Sequence, residues 1–168
     1  MVIEEEMIMY RNVVWHSYEC HYSDFENVLS DFSDKVTNAT LTINGPLFYA
    51  LKNVPLDKMM EVDIFIPVEQ SYVLNDMPLR MQTYYYVDNM LMTRVIDNVE
   101  EKTEKAYAKL LNYATEHGLE VVSPIFHEFK GDEEFHWVEI KVKVEPYDGD
   151  VYERDEDQYL QFFNQFIR

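Results

Sequence analysis

Two periods alternate along this chain. Residues 7–20 mix apolar and polar positions around Tyr10, Val13, Val14, Trp15 and Tyr18 and predict a strand with irregularities. Phe25, Val28, Leu29, Phe32 and Val36 then recur at helical spacing, predicting an amphipathic helix that ends near Asn38. Ser23-Asp24-Phe25-Glu26 ahead of it matches the capping box, in which the first and fourth residues satisfy each other's backbone donors. Gly45-Pro46 breaks the chain before a strand over 47–54, and 60–68 predicts the next strand, closed by Pro67 and Glu69.

The same order recurs downstream. Residues 82–96 predict a long strand, and Asn98-Val99-Glu100-Glu101 reads as a second capping box. Ala106, Tyr107, Leu110, Leu111 and Ala114 form the stripe of a second helix, with Gly118 where a left-handed cap belongs. Ser123-Pro124 opens a strand through Phe129, Lys130-Gly131-Asp132 reads as a hairpin turn, and 134–144 predicts the closing strand. The matched order predicts an α+β domain of duplicated β-α-β-β halves with pseudo-twofold symmetry, the halves covering about 7–70 and 80–145.

The remainder, 146–168, begins with an acidic turn, Pro146-Tyr147-Asp148-Gly149-Asp150. Tyr159, Phe162, Phe163, Phe166 and Ile167 follow as the stripe of a short C-terminal helix, expected to pack on its own sheet or on a second copy in a homodimer.

Charge narrows the partners. The 168 residues hold 14 Lys and Arg against 32 Asp and Glu, a formal net charge of -18. That balance argues against direct nucleic acid binding, which relies on Lys and Arg to displace counterions, and against anionic membranes. No stretch reaches the length of a membrane span, and the acidic start carries no secretory signal. The single cysteine, Cys20, excludes an intramolecular disulfide framework. Together these predict a cytoplasmic protein.

Gly45-Pro46-Leu47-Phe48-Tyr49, followed by Glu61 to Val68 ending in Pro67-Val68, resembles the first half of GyrI-like domains. His117-Gly118-Leu119-Glu120 before Ser123-Pro124, then Trp137-Val138-Glu139-Ile140, resembles their second half. The resemblance, to the GyrI-like or AraC-type effector-binding superfamily, spans roughly residues 7–145 and implies one such domain over 1–145 without a separate DNA-binding domain. Asn53 to Asp57 also resembles an uncharacterised Gram-positive bacterial family whose members tend to be encoded near type VII secretion toxin genes.

The resemblance implies a ligand cleft between the halves. In the closing strand, alternation sets Val138, Ile140, Val142 and Val144 under the helices and Phe135, Trp137, Glu139, Lys141 and Lys143 on the other face. In the first half Val62, Ile64 and Ile66 are helix-side, with Glu61, Asp63 and Phe65 opposite. Asp63 and Glu139 thus fall at equivalent positions. Glu139, in Trp137-Val138-Glu139-Ile140, resembles the acid of the family's pattern, which implies a charge partner for a cationic aromatic ligand. The plain alternative is a strand carboxylate paired with a neighbouring Lys. Lys141 departs from the pattern, since it can neutralise that acid and occupy the cleft. Tyr84 and Tyr86 share a strand face and are candidates for the cleft, whereas Tyr85 is expected to pack.

The histidines form no metal site by spacing. His16 and Cys20 lie about 13 Å apart on a strand, and His127 with His136 supplies two ligands without a third. No nucleophile elbow, phosphate loop or zinc motif occurs, so no catalytic residue or cofactor is assigned.

The leading expectation is therefore a binding module for a small aromatic or cationic ligand, held by Glu139, Trp137, Asp63, Phe65, Phe135, Tyr84, Tyr86 and Lys141. The alternative is a protein-interaction partner: a chaperone- or immunity-type protein of a secreted toxin, or an acidic inhibitor. A third reading, a hydrolase using a cleft Glu and Tyr, follows from the resemblance of some members of this fold to hydrolases.

Overall fold

The computed structural model describes residues 1–53 and 58–149. In chain order these form β1 (Ile3–His21), a single 3-10 turn (Tyr22–Asp24), α1 (Phe25–Asn38), β2 (Phe48–Leu51), β3 (Met59–Pro67), β4 (Arg80–Val95), α2 (Val99–Glu116), β5 (Leu119–Val121), β6 (Ile125–Gly131) and β7 (His136–Pro146). The C-terminal stripe and all but Asn53 of the 53–57 segment lie outside the described residues.

Every strand pairing is antiparallel. The order is β4-β1-β3-β2-β6-β7-β5, and β7 also pairs with β4. Met90 pairs with Glu6 on one side and with Lys143 on the other, so the two ends of the sheet meet and six strands close into a ring. β5 extends the line of β6 along β7, after the break at Ser123-Pro124.

Both helices pack on the outside of the ring. Phe32 and Val36 of α1 and Tyr107, Leu110 and Ala114 of α2 share one buried cluster with Val62, Ile64, Val138, Ile140 and Val142. This α+β arrangement, a mostly antiparallel sheet under two helices, follows from the strand alternation and the helical stripes. A second cluster fills the inside: Ile8, Val13, Phe48, Ala50, Phe65, Met90 and Phe126.

Simple alternation fails at two asparagines with left-handed backbones, Asn12 (φ 53) and Asn89 (φ 52). Beyond Asn12, Val13 turns inward and Val14 joins the helix-side core; beyond Asn89, Met90, Leu91 and Met92 are all buried. Such one-residue breaks bend long strands, which a small closed ring requires.

Neither capping box forms. The amide of Ser23 donates to His21 Nδ1 at 3.2 Å, because the chain enters α1 through the 3-10 turn and makes Asp24 the N-cap, without a side-chain bond. Asn98 takes φ 47 at the start of α2, a conformation that also leaves its side chain without a cap bond.

Candidate functional site

The inside of the ring divides into an aromatic half and a charged half. Phe48 and Phe65 stack at 4.8 Å with planes 3° apart. Tyr10 lies 5.5 Å from Phe48, Trp15 lies 5.9 Å from Phe65, and Tyr85 touches both Phe48 and Phe65. Tyr85 therefore faces the inside. Tyr84 and Tyr86 stack on each other at 6.0 Å and are about half exposed on the outer face.

A hollow of about 350 Å³ opens at the aromatic end. Its walls come from β2 and β3 (Ala50, Asp63, Phe65), from β4 (Tyr85 to Asp88), from β6 (Phe126) and from Lys143 of β7. Asp63 is held there by the Ser17 hydroxyl, which donates at 2.5 Å, and by Lys52 at 3.0 Å. Lys143 bonds to the Asp88 carboxylate at 2.5 Å.

The charged half is closed. Lys141 and Glu128 are 2 % and 1 % exposed, and the Lys141 ammonium donates to Glu128 Oε1 at 2.6 Å and to the Met7 carbonyl at 3.0 Å. Glu139 Oε2 stands 3.3 Å from the same ammonium. Tyr10 donates to the second Glu128 oxygen at 2.6 Å. Burial, and then that hydrogen bond, push the Tyr10 phenol well above its ordinary range.

Burial alone would raise the Glu139 carboxyl. The Trp137 indole, donating at 3.2 Å, and the ammonium groups of Lys141 and Lys130 outweigh burial and hold it below its ordinary value. Glu139 is therefore an ionised, fully partnered carboxylate, not one raised by desolvation.

The expected site residues thus fall in four places. Asp63, Phe65 and Tyr86 line the hollow at the aromatic end. Glu139 and Lys141 are locked together in the closed half. Trp137 lines a separate hollow of about 700 Å³ with Pro46, Val99, Phe129 and His136, and Phe135 stands beside it at 5.7 Å. Tyr84 faces outward. Sequence reasoning missed Glu128, Tyr10, Phe126 and the inward Tyr85. Alternation along β6 could have flagged Glu128, since it shares a face with Phe126 and Lys130.

His127 lies on the other side of the sheet, stacked on Tyr49 at 4.3 Å with Nε2 bonded to the Tyr107 hydroxyl. The ring is fully buried, and burial, outweighing a backbone contact to Ile125, lowers its pKa to about 3. Among the described residues no group of three or more His, Cys, Asp or Glu side chains could hold a metal ion, and no helix is long and apolar enough to cross a membrane.

The fold just described has known counterparts. The chain belongs to the family described as "Domain of unknown function (DUF5085)", whose model matches residues 9–146. No curated protein matches. Among solved structures, the EcmrR C-terminal domain is similar with a TM-score of 0.58 at 13% identity, covering 84% of this chain and 97% of that one. A hydrolase from Listeria innocua is similar with a TM-score of 0.52 at 7% identity, covering 84% of this chain and 92% of that one. At these identities the likeness is one of fold, and it agrees with a GyrI-like arrangement.

Proposed function

We propose that this chain is a binding module that takes a small aromatic, cationic ligand in the hollow beside Asp63. The observation that carries this reading is a carboxylate at the mouth of an interior walled by Phe65, Tyr85 and Phe126. A carboxylate among ring faces offers charge pairing and cation–π contact together. Glu139, the acid marked by the sequence pattern, is buried among Lys141, Lys130 and Arg94 and lines neither hollow, whereas Asp63, though paired with Lys52, lines one. The fold-level likeness to the EcmrR C-terminal domain, and through it to effector-binding domains, supports the reading by analogy.

In this proposal the ring is a duplication. β1-β3-β2 and β4-β7-β6 are the two copies, joined at β1–β4 and β2–β6. Matching left-handed residues support it: Asn12 with Asn89, and Thr40 with Gly118 after the two helices. The hollow then lies between the halves, where residues of both meet.

The test is titration of a cationic aromatic dye by calorimetry. Asp63→Asn is expected to weaken binding about tenfold or more, as loss of a desolvated charge partner does. Equal affinity in the variant removes Asp63 from the site, and an absence of binding across a broad set of such dyes removes the reading.

One observation favours the second reading, a protein-interaction partner, for which a secreted toxin of the type VII kind is a candidate. Half of the interior is filled by the chain's own Lys141, and large apolar side chains stand exposed outside. The hydrolase reading has less support, because the buried Tyr10–Glu128 pair is sealed against Lys141.

A further inference from the structure

The outer face of the β1–β4 pair carries apolar side chains where a solvated strand would carry polar ones. Met7, Met9, Tyr84 and Tyr86 are 44%, 53%, 49% and 46% exposed. They form one patch: Met9 pairs with Tyr86 across the strands, Arg11 pairs with Tyr84, and the two tyrosine rings stack. The inward neighbours Ile8, Tyr10, Tyr85 and Val87 belong to the interior cluster. Met7 to Tyr10 and Tyr84 to Val87 are therefore apolar on both faces, the composition of strands covered on both sides. Among the described residues nothing covers the outer one.

We infer that this face is an interface between two copies of this chain. Four such side chains at about half exposure open on the order of 400 Å² of apolar surface, as large as the main patch of many monomers and about half of what one partner contributes to a standard interface. The rim supplies the rest, and its charges are self-complementary. Arg11 stands exposed at one end beside Tyr84, while Glu5, and Asp88 with its partner Lys143, stand at the other. A twofold axis in the interface, running across the strands, sets Arg11 of each copy over the acidic end of its mate. Because each chain has a formal net charge of -18, association works against long-range repulsion and should strengthen as salt screens it.

The experiment is sedimentation equilibrium of the full-length chain across concentration and ionic strength. The expected result is a dimer that dissociates on dilution in the micromolar range and gains at least threefold in affinity between low and physiological salt. Tyr86→Glu and Met9→Glu should each return it to monomer with an unchanged melting temperature, and Arg11→Glu should weaken it about tenfold. A monomer at all concentrations up to about 1 mM overturns the proposal, as does a dimer indifferent to Tyr86→Glu and Met9→Glu. A full-length monomer that dimerises only when truncated after Gly149 also overturns it, by assigning the patch to residues 150–168.

Discussion

The Lys141 ammonium lies 2.6 Å from Glu128 Oε1, with both side chains inside a closed ring of strands and almost fully shielded from water. Such a pair contributes little beyond what well-packed apolar residues would, but breaking it leaves a charge stranded. Lys141→Met leaves the buried Glu128 with only Tyr10 and a Lys130 ammonium 3.6 Å away, while Glu139 keeps Arg94 and Lys130, and should cost about 3–5 kcal/mol. Adding Glu128→Gln should recover part of that loss. Urea denaturation of the two single variants and the double variant measures the coupling, and additive losses would mean that the ammonium is not what holds Glu128.

A second prediction concerns acid. His127 is held neutral in the fold, with a pKa of about 3 against 6.5 in the unfolded chain. Between those values the unfolded chain binds a proton that the folded chain refuses, so stability is fully present above pH 6.5 and falls as pH drops toward 3. The slope from this one group approaches 1.4 kcal/mol per pH unit in the middle of the window. His127→Gln should flatten the difference between urea midpoints at pH 6.5 and pH 4. An unchanged difference would assign the acid sensitivity to the carboxylates alone.

The hairpin between β6 and β7 offers a sharper structural test. Gly131 has φ +135, and a Cβ there would sit 2.3 Å from the Phe135 carbonyl oxygen. Gly131→Ala should therefore cost about 2 kcal/mol or more. Gly118 has φ +65 with nothing within 4 Å of an added Cβ, so Gly118→Asn should cost well under 1 kcal/mol. Thermal melts of the two variants side by side check the contrast.

Asn53 leads to a fourth prediction. Its side chain donates to the Met59 carbonyl at 2.9 Å and accepts the Glu61 amide at 2.8 Å, so it ties the end of β2 to the start of β3. Asn53→Ala should cost about 1–2 kcal/mol and, through β3, disturb Asp63. Dye affinity should then fall less than in Asp63→Asn. A loss as large as in Asp63→Asn would assign Asn53 a direct part in the site.

Local periodicity made the helices and most strands legible. The stripe from Phe25 to Val36 and the one from Ala106 to Ala114 carry their own spacing, and packing on the sheet keeps it. The caps were misread because a capping box needs a particular entry angle. The 3-10 turn at Tyr22–Asp24 and the left-handed Asn98 each set a different one.

Within the site, alternation alone places Asp63 and Phe65 on the inner face of β3. It could not find the partner of Lys141, because Glu128 meets it only through the register of β6 with β7, where Phe126 stands opposite Lys141. Tyr85 packs on Phe48 and Phe65 as expected, and it also walls the hollow together with Tyr86, while Tyr84 stands exposed. Nothing in the run Tyr84-Tyr85-Tyr86 itself says which parity faces inward once Asn12 and Asn89 break the pattern.

Ring closure also governs how the chain reaches its fold. β1 finds β4, and β2 finds β6, only after most of the chain has been made. Contacts so distant in sequence carry their loop-closure cost before they return any stability, which slows folding relative to a helical bundle of equal size. Until the later strands arrive, β1 and β2 hold open edges beside an apolar interior, the kind of intermediate that aggregates during synthesis. The first half is thus not a small domain waiting for a companion. It is a template whose unpaired edges are filled by the second.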